Sequence, residues 1–443
     1  MLRRLLTVVT LAVLVAQAAG AAVRSRGLPR STNNDDSCDI ALLPAATLLL
    51  PYFEVDLTSR AGEHTLFTIM NVTNVEQIAH VTLWTDYAFP VLDFNVYLTG
   101  YDVQSIDMYD VLQGRIAAPE GTGVRTSPQG PLSEPNPRLS IGDCANIPAT
   151  LPRSLVTRVQ RALTEGVATA LDGSPACTRI GSGWRRGGNA IGYVTIDVVG
   201  SCTSVKPDEA AYYTGVLRYD NVLAGDYQQV NSAQNYAQGS PLVHIRAVPE
   251  DGGSVNLPRT FYGRFVPEGT KHDRRQPLPS TFAARWVDGG VGSFETAFKT
   301  WREGNTSAGA TCDQYASNAA LQIFEIVTFD EQENALAIQP EPGPVTPITN
   351  DFASAATSRR EYGDGDSFPE FEDENAGWIY MNLSSRDRET PRQAWVVSSM
   401  YAQGIYSGDI DATALGNGCS PNGPLSTITR GTAILGPAGN VNP

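Results

Sequence analysis

Lysine is scarce in this 443-residue chain and occurs only at Lys206, Lys271 and Lys299. Arginine therefore supplies nearly all of the positive charge, and the formal net charge is −15 at pH 7. No stretch of the sequence gathers enough basic residues to form a positive patch. A chain with this charge repels the phosphate backbone of DNA or RNA. The sequence therefore predicts no nucleic-acid partner.

The sequence also lacks the motifs of common catalytic and metal sites. No serine stands in the Gly-x-Ser-x-Gly pattern of a nucleophile elbow. The two nearest cysteines are 25 positions apart, whereas zinc-binding cysteines are spaced by only about two to four residues. No close pair occurs among the four histidines, which are His64, His80, His244 and His272. His80 and His244 fall within strand patterns, so both are predicted to face outward from a sheet.

The segment GSGWRRG, residues 181–187, comes nearest to a dinucleotide-binding loop. Its third glycine stands one residue late, and no helical pattern follows that could present an N-terminus to a phosphate. We interpret this segment as a flexible loop in which Trp184, Arg185 and Arg186 could contact a partner.

Beyond its first residues the chain has no apolar run long enough to span a bilayer. Residues 1–21 combine two early arginines, an apolar stretch from Leu5 to Ala16, and small residues before position 22. This is the pattern of a secretory signal peptide. The sequence therefore predicts a secreted protein, periplasmic or extracellular, whose mature chain has no membrane span.

An even number of well-separated cysteines in an exported chain indicates disulfide bonds rather than a metal site. The predicted disulfide cysteines are Cys38, Cys144, Cys177, Cys202, Cys312 and Cys419. The sequence alone does not determine which of them pair. Our working hypothesis joins Cys144 to Cys177, Cys312 to Cys419, and Cys38 to Cys202.

Alternation of polar and apolar residues is the main signal of secondary structure. In residues 91–99 (VLDFNVYLT) the apolar positions recur strictly at every second residue, which predicts a strand with one buried face. We interpret it as the core strand around which the fold is arranged. Similar short strands precede it, and residues 65–106 resemble in a general way the immunoglobulin-like domains of exported proteins. The predicted fold is mainly β, with two or more antiparallel β-sandwich (immunoglobulin-like) domains, one or two short helices, and disulfide stabilisation.

Composition divides the chain into successive regions. The predicted organisation is a signal peptide at 1–21, a disordered segment at 22–37, a first β-sandwich region at 38–250 with a long loop at 117–138 and a helix at 152–165, a second β-sandwich region at 254–420, and a flexible C-terminal tail at 421–443. Pro152 suits the first turn of that helix and Gly166 its end. Pro51 lies in the apolar run 40–57, so this run is predicted to be an edge or bulged strand.

The second region repeats a feature of the first. Phe67 and Trp84 bracket a strand, a turn and a strand, and Phe282 and Trp301 bracket a similar set. Between the latter pair, residues 288–290 (DGG) predict a tight hairpin, because glycine accepts positive φ. The similarity predicts a duplication of one sandwich, although chance similarity between two hairpins explains it as well.

An acidic segment offers the only candidate metal ligands. Asp364, Asp366, Glu370 and Glu372 carry the hard oxygen atoms that calcium prefers. The segment is not an EF-hand, since Pro369 stands where the turn glycine belongs. The alternative interpretation is a solvated acidic loop without a bound ion.

These observations favour a secreted, non-catalytic β-sandwich protein with a binding or structural role at the cell envelope or outside the cell. Its partner would be a protein or a glycan at the cell surface, and the oligomeric state is not predicted. One alternative is a secreted carbohydrate-active hydrolase that uses paired carboxylates, with Glu325 as a candidate. A second is a calcium-stabilised adhesion or carbohydrate-binding module. Three Asn-x-Ser/Thr sequons begin at Asn71, Asn305 and Asn382.

Overall fold

The structure is a computed structural model that describes residues 40, 42–116, 131–140, 150–170, 172, 174–182, 188–248, 260–266, 273–321, 323–337, 357–362, 368, 370–371, 374–385, 392–402 and 404–415. Strands make up 48% of the described residues and helices 12%, so the prediction of a mainly β fold is confirmed. The predicted signal peptide, the predicted disordered segment, the predicted C-terminal tail and most of the predicted loop at 117–138 lie outside these residues. None of the helices in the described part is long and apolar enough to cross a membrane.

The first half of the fold, residues 42–248, contains two antiparallel sheets. Its strands are β1 Thr47–Val55, β2 Glu63–Asn71, β3 Gln77–Thr85, β4 Pro90–Leu98, β5 Val103–Asp107, β6 Ala168–Thr169, β7 Pro175–Cys177, β8 Ala190–Val199, β9 Leu223–Ala224, β10 Asp226–Asn231, β11 Tyr236–Pro241 and β12 Val243–Ile245. Its helices are α1 Met108–Leu112, α2 Arg153–Glu165 and α3 Ala210–Gly215. Sheet 1A has the order β12-β1-β8-β3-β4, and sheet 1B has the order β11-β10-β2-β5, with β9 beside β2. Strands β6 and β7 form a separate small ribbon.

The second half, residues 273–415, also contains two antiparallel sheets. Its strands are β13 Thr281–Val287, β14 Glu295–Arg302, β15 Ile323–Asp330, β16 Ala335–Ala337, β17 Thr357–Glu361, β18 Ala376–Ser385, β19 Ala394–Ala402, β20 Tyr406–Asp411 and β21 Thr413–Ala414. Sheet 2A has the order β21-β13-β18-β15-β16, and sheet 2B has the order β20-β19-β14-β17. One short helix, α4 Cys312–Ala316, precedes β15.

The two halves repeat the same strand order. If β1–β5, β8 and β10–β12 are matched in sequence with β13–β21, sheet 1A becomes sheet 2A and sheet 1B becomes sheet 2B. The fold therefore repeats, but the repeat is not the pair of hairpins that suggested a duplication. Strand β2 lies in a different sheet from β3, and β13 in a different sheet from β14. The turn at 288–290 does form, with positive φ at Gly289 and Gly290, but it carries the chain from one sheet to the other.

Each pair of sheets encloses an apolar core. In the first half the core draws side chains from both sheets, including Leu50 and Val194 of sheet 1A and Phe67 and Ile69 of sheet 1B. In the second half a separate core joins the two sheets in the same way. Burial of these faces is the main favourable term in the stability of such layers.

The central strand of sheet 1A is β8, not the strand at residues 91–99. All ten residues of β8 are buried, and β8 lies between β1 and β3. Strand β4 alternates as predicted and sends Leu92, Phe94 and Val96 into the core, but it occupies the sheet edge. Its outward residues are only half-buried for that reason.

Strand β1 is bulged, as predicted, but it is not an edge strand. It lies between β12 and β8, and its register with β8 shifts between Leu50 and Phe53, on either side of Pro51. Pairing with β12 ends at Leu49. Proline has no backbone N–H to donate to a neighbouring strand. Pro51 is tolerated because the register with β8 shifts there and the pairing with β12 has already ended.

A layer of aromatic side chains covers the outer face of sheet 1A. Trp84 stacks on Tyr193 with ring centroids 5.6 Å apart, and Tyr193 meets Trp301 of the second half at 6.0 Å. The layer also contains Tyr212, Phe261, Tyr262 and Phe265. The outer face of sheet 1A is therefore covered along β1, β3 and β8. The residues that cover it include Tyr212 of the first half and Trp301 of the second.

A fully buried ion network lies within this aromatic layer. Arg275 and Asp197 are both 0% exposed, and Arg275 Nη2 lies 3.4 Å from Asp197 Oδ1. Tyr212 and Tyr262 each donate a hydroxyl hydrogen bond of 2.9 Å to Asp197 Oδ2. Arg275 Nη1 lies 3.6 Å from Asp273. Burial raises the pKa of Asp273, and Arg275 opposes that shift. Buried charges persist only when they are paired and hydrogen-bonded in this way.

Helix α2 confirms the local prediction made from proline and glycine. It spans Arg153–Glu165, with Pro152 at the N-cap position and Gly166 in the left-handed region at φ 67°. Val159 and Leu163 are buried against the first core. A side chain at position 166 would also collide with the carbonyl of Gly181. Only glycine satisfies both the backbone angle and this close approach.

A disulfide joins Cys177 of β7 to Cys312 of α4, with Cα atoms 5.4 Å apart and a sequence separation of 135. The hypothesised pairs Cys144–Cys177 and Cys312–Cys419 are therefore wrong. Cys202 is also bridged, and its partner lies outside the described residues, so Cys38–Cys202 stays a prediction. The sequence could not indicate this pair, because β7 and α4 are brought together only by the packing of the two halves.

Candidate functional site

A groove opens between the two halves where two hairpins meet. Its volume is about 310 Å³, at the small end of the range for ligand sites. The first half contributes Gln234, Asn235 and Tyr236, and the second half contributes Tyr401, Gly404 and Tyr406. Three tyrosine rings, two amide side chains and a glycine backbone thus form its lining.

The two hairpins occupy equivalent positions in the repeat. One joins β10 to β11 and the other joins β19 to β20, and these strands correspond in the two sheet orders. Each turn contains a left-handed residue, Asn235 at φ 51° and Gly404 at φ 80°. Tyr236 and Tyr406 are the first residues of β11 and β20. Asn235 Nδ2 donates a 2.7 Å hydrogen bond to Gly404 O, so the two turns contact each other directly.

A buried lysine holds Tyr236 in place from behind. Lys299 of β14 is only 3% exposed, and its Nζ donates to Tyr236 OH at 3.1 Å and to Gln238 Oε1 at 2.8 Å. It also donates to Gln229 Oε1. The ammonium lies 5.7 Å from the centroid of the Tyr236 ring, within the range of a cation–π contact. The ring of Tyr236 is therefore fixed before any ligand arrives.

Tyr401 is fixed by a second set of charges. Its hydroxyl donates to Glu295 Oε2, and the guanidinium of Arg359 lies 5.9 Å from its ring centroid. Arg359 also lies 3.2 Å from Glu361 and 4.0 Å from Glu54 of the first half. Burial raises the pKa of Tyr401 well above its ordinary value, and the bond to Glu295 raises it further. Tyr401 is therefore a neutral hydrogen-bond donor at physiological pH.

Tyr406 differs from the other two tyrosines because it is 65% exposed. Phe294 stacks on it with ring centroids 6.4 Å apart. Tyr236 and Tyr401 meet edge to face at 6.3 Å. The groove thus has a rigid wall formed by two tyrosines and an open platform formed by the third. This arrangement suits the binding of a ligand, because rigid aromatic anchors contribute contact area at little conformational cost.

The lining of the groove contains no cysteine, histidine or carboxylate. Among the residues that the structure describes, no group of three or more potential ligands could hold a metal ion. Asp364, Asp366 and Glu372 of the predicted calcium site lie outside them, and Glu370 is half-buried. Calcium binding there stays a prediction. Trp184, Arg185 and Arg186 also lie outside the described residues, and Glu325 lies in β15.

Two of the three sequons are inaccessible in the folded chain. Asn71 and Asn382 are buried, and Asn71 Nδ2 donates to Val75 O and Thr99 O. Asn305 is exposed. Only Asn305 of the three could accept a glycan after folding.

The prediction that His80 and His244 face outward to solvent is wrong, because both are buried. His80 shares the outer face of sheet 1A with Ile78 and Trp84, and other segments cover that face. His244 pairs with Leu48 and lies on the core side of the sheet. His80 Nδ1 donates to Asn95 Oδ1 at 3.0 Å, and His80 Nε2 is buried with no hydrogen-bond partner in the described structure. Burial lowers the pKa of His80, which nearby Asp93 and Asp197 partly oppose and Lys206 reinforces.

We expect His80 to make the protein lose stability in mild acid. Its pKa in the folded chain is below the ordinary 6.5, so its contribution is present above that value and is lost as the pH falls below it. This residue can change the free energy of unfolding by at most about 1.4 kcal/mol per pH unit. Urea unfolding at several pH values between about 7.5 and 5.5 gives the free energy of unfolding as a function of pH. This free energy should fall less steeply with decreasing pH in His80→Gln than in the wild type. Equal slopes would contradict a buried neutral imidazole.

Sequence reasoning missed the groove. Its residues come from two turns about 170 positions apart, as the contact between Ala237 N and Ser407 Oγ shows. The only signal in the sequence is a tyrosine shortly after a turn residue in NYAQ and in GIYSG, which is too short to recognise without the strand order. Comparison of the chain with protein families, with curated proteins and with solved structures found no match.

Proposed function

We propose that this chain is an exported, non-catalytic binding protein of the cell envelope or the extracellular space, and that its ligand binds in the groove between the two halves. The signal-peptide pattern of residues 1–21 and the cysteine count support export. The observation that carries the binding role is the meeting of two equivalent hairpin turns beside the open ring of Tyr406. Tyr236 is held there by the buried Lys299, and Tyr401 by the half-buried Glu295 and Arg359.

We further propose that each half is a variant of the immunoglobulin-like sandwich. In that fold strands B and E are neighbours in one sheet, and strands C and F are neighbours in the other. In the first half β2 and β5 would be B and E, and β3 and β8 would be C and F, which agrees with their pairing. Pairing of β14 with β17 and of β15 with β18 fits the same scheme. The variation lies in β1, which precedes B yet flanks F, and in β10, which follows F yet pairs with B.

The second candidate function is a carbohydrate-active hydrolase with paired carboxylates. Glu295 accepts the Tyr401 hydroxyl, and Glu361 contributes to the field at the same tyrosine. Hydrolases of this kind need two carboxyl groups about 5–10 Å apart across the scissile bond. Release of reducing sugar from envelope polysaccharide by the wild type, and its loss in Glu295→Gln, would favour this candidate over the binding role.

The binding role predicts that Tyr406→Ala lowers affinity for the envelope fraction of the cells that produce the protein by about tenfold or more. Tyr406 is exposed, so its removal should change the free energy of unfolding by no more than about 0.5 kcal/mol. Tyr101→Ala is the matched control, because Tyr101 is also exposed, at 56%, and does not line the groove. Equal binding by wild type, Tyr406→Ala and Tyr101→Ala would refute the proposed site.

A further inference from the structure

The groove presents the same aromatic feature twice. Tyr236 and Tyr406 begin corresponding strands, and each follows a turn with a left-handed residue. Two tyrosines at equivalent positions of one groove suit a ligand that is itself built from like units. A linear oligomer can place successive units on successive rings, whereas a compact molecule would use only one of them.

The chemistry of the lining indicates the kind of unit. Sugar rings present C–H faces that pack on aromatic faces, and their hydroxyl groups both donate and accept hydrogen bonds. Gln234 supplies a side-chain amide at the rim, and Tyr406 adds a hydroxyl group. The Nδ2 of Asn235 and the hydroxyl groups of Tyr236 and Tyr401 already bond within the protein. Aromatic side chains with a polar tip are well suited to such mixed surfaces.

The charge around the groove further limits the ligand. None of the six lining residues is charged. Two carboxylates adjoin the tyrosines or their partners: Glu295 accepts from Tyr401, and Glu361 pairs with Arg359. The positive charge of Lys299 is buried behind Tyr236 and is already used in hydrogen bonds. With a net charge of −15 for the whole chain, a polyanionic ligand would be repelled.

We propose that the groove binds a neutral, linear oligosaccharide, with one sugar unit against Tyr236 and Tyr401 and the next on Tyr406. This inference rests on the proposed binding role of the groove and specifies its ligand. A proline-rich peptide is the alternative occupant, because such peptides also dock on aromatic grooves. The equivalent tyrosines and the polar groups at the rim favour the sugar.

The test is isothermal titration of the full chain with cello-oligosaccharides and chito-oligosaccharides of increasing length. A uronic-acid oligomer and a proline-rich peptide serve as comparison ligands. We expect a neutral series to bind, with affinity that rises about tenfold when a second unit is added and then levels off. Tyr406→Ala should remove that gain and leave the weak binding of the single unit, while Tyr101→Ala should behave as the wild type.

The outcomes separate this inference from the proposed function. Binding of the uronic-acid oligomer or the peptide that depends on Tyr406, without binding of either neutral series, would overturn the sugar assignment and leave the groove as the binding site. Affinity for a neutral series that is unchanged by Tyr406→Ala would overturn the placement on that ring. If none of the four probes binds in a manner that depends on Tyr406, the sugar assignment fails, and Tyr406-dependent binding to the envelope fraction then decides whether the proposed site stands.

Discussion

Arg275→Ala is expected to lower the free energy of unfolding by about 3–5 kcal/mol. Arg275 is fully buried, and its guanidinium pairs with Asp197 and Asp273 while donating to Arg218 O at 3.1 Å. Removing it leaves two carboxylates in a layer of aromatic rings without their counter-charge. Without Arg275, burial would raise the pKa of Asp273 further, because Arg275 now opposes that shift. Urea unfolding monitored by tryptophan fluorescence measures the loss.

Arg285→Ala is the matched control for this prediction. Arg285 and Glu331 form an ion pair at 4.0 Å, and both side chains are 62% exposed. An exposed pair contributes about 0–1 kcal/mol, so this variant should unfold at nearly the wild-type urea concentration. Because well-packed apolar residues can replace a buried pair, Arg275→Met combined with Asp197→Asn should be more stable than Arg275→Ala. If Arg275→Ala and Arg285→Ala lowered the free energy of unfolding by similar amounts, the proposed contribution of the buried network to stability would be contradicted.

The second large effect is expected from the disulfide between Cys177 and Cys312. Replacing both cysteines with serine should cost about 2–5 kcal/mol. The bridge spans 135 residues and joins the first half to α4 of the second half. Its loss frees a long loop in the unfolded chain, and loop-closure entropy accounts for most of the effect in the chain-entropy model. The midpoint of urea unfolding under non-reducing conditions measures the change.

Tyr315→Phe provides the comparison for the disulfide variant. Tyr315 of α4 packs edge to face on Phe89 at 4.9 Å and donates a 3.0 Å hydrogen bond to Asp208 Oδ2. The phenylalanine variant removes only that hydrogen bond, for which we expect a cost of about 1 kcal/mol. If the double serine variant were no less stable than Tyr315→Phe, the bridge would not be a principal link between the halves.

Local sequence signals predicted individual strands well. The alternation in residues 192–200 places Val194, Ile196 and Val198 in the core and Tyr193 and Asp197 on the opposite face, as β8 does. What alternation could not reveal is that the opposite face is buried too. Thr195 and Asp197 are almost inaccessible because aromatic residues from distant segments cover them. A polar residue in a strand looks like a solvent-facing residue until its neighbours are known.

The pairing of strands and cysteines was not predictable in the same way. Residues 288–290 form the expected turn, yet β13 and β14 enter different sheets, because a two-residue period says nothing about which strand will be the neighbour. Cys177 and Cys312 meet for a similar reason, since β7 and α4 touch only after the halves have packed. The groove was unpredictable for the same reason, because its lining residues come from both halves.

The sequence by itself determined the elements whose cause is local: alternating strands, the helix that begins after Pro152 and ends at Gly166, and the turns that need glycine. Tertiary structure alone decided that β8 is central, that Arg275 reaches Asp197, and that two tyrosine-bearing turns face each other. The physical reason is the distance along the chain over which each interaction acts. Backbone preferences and side-chain alternation act over a few residues, whereas sheet order, buried charge pairing and grooves between halves depend on contacts between residues far apart in the chain.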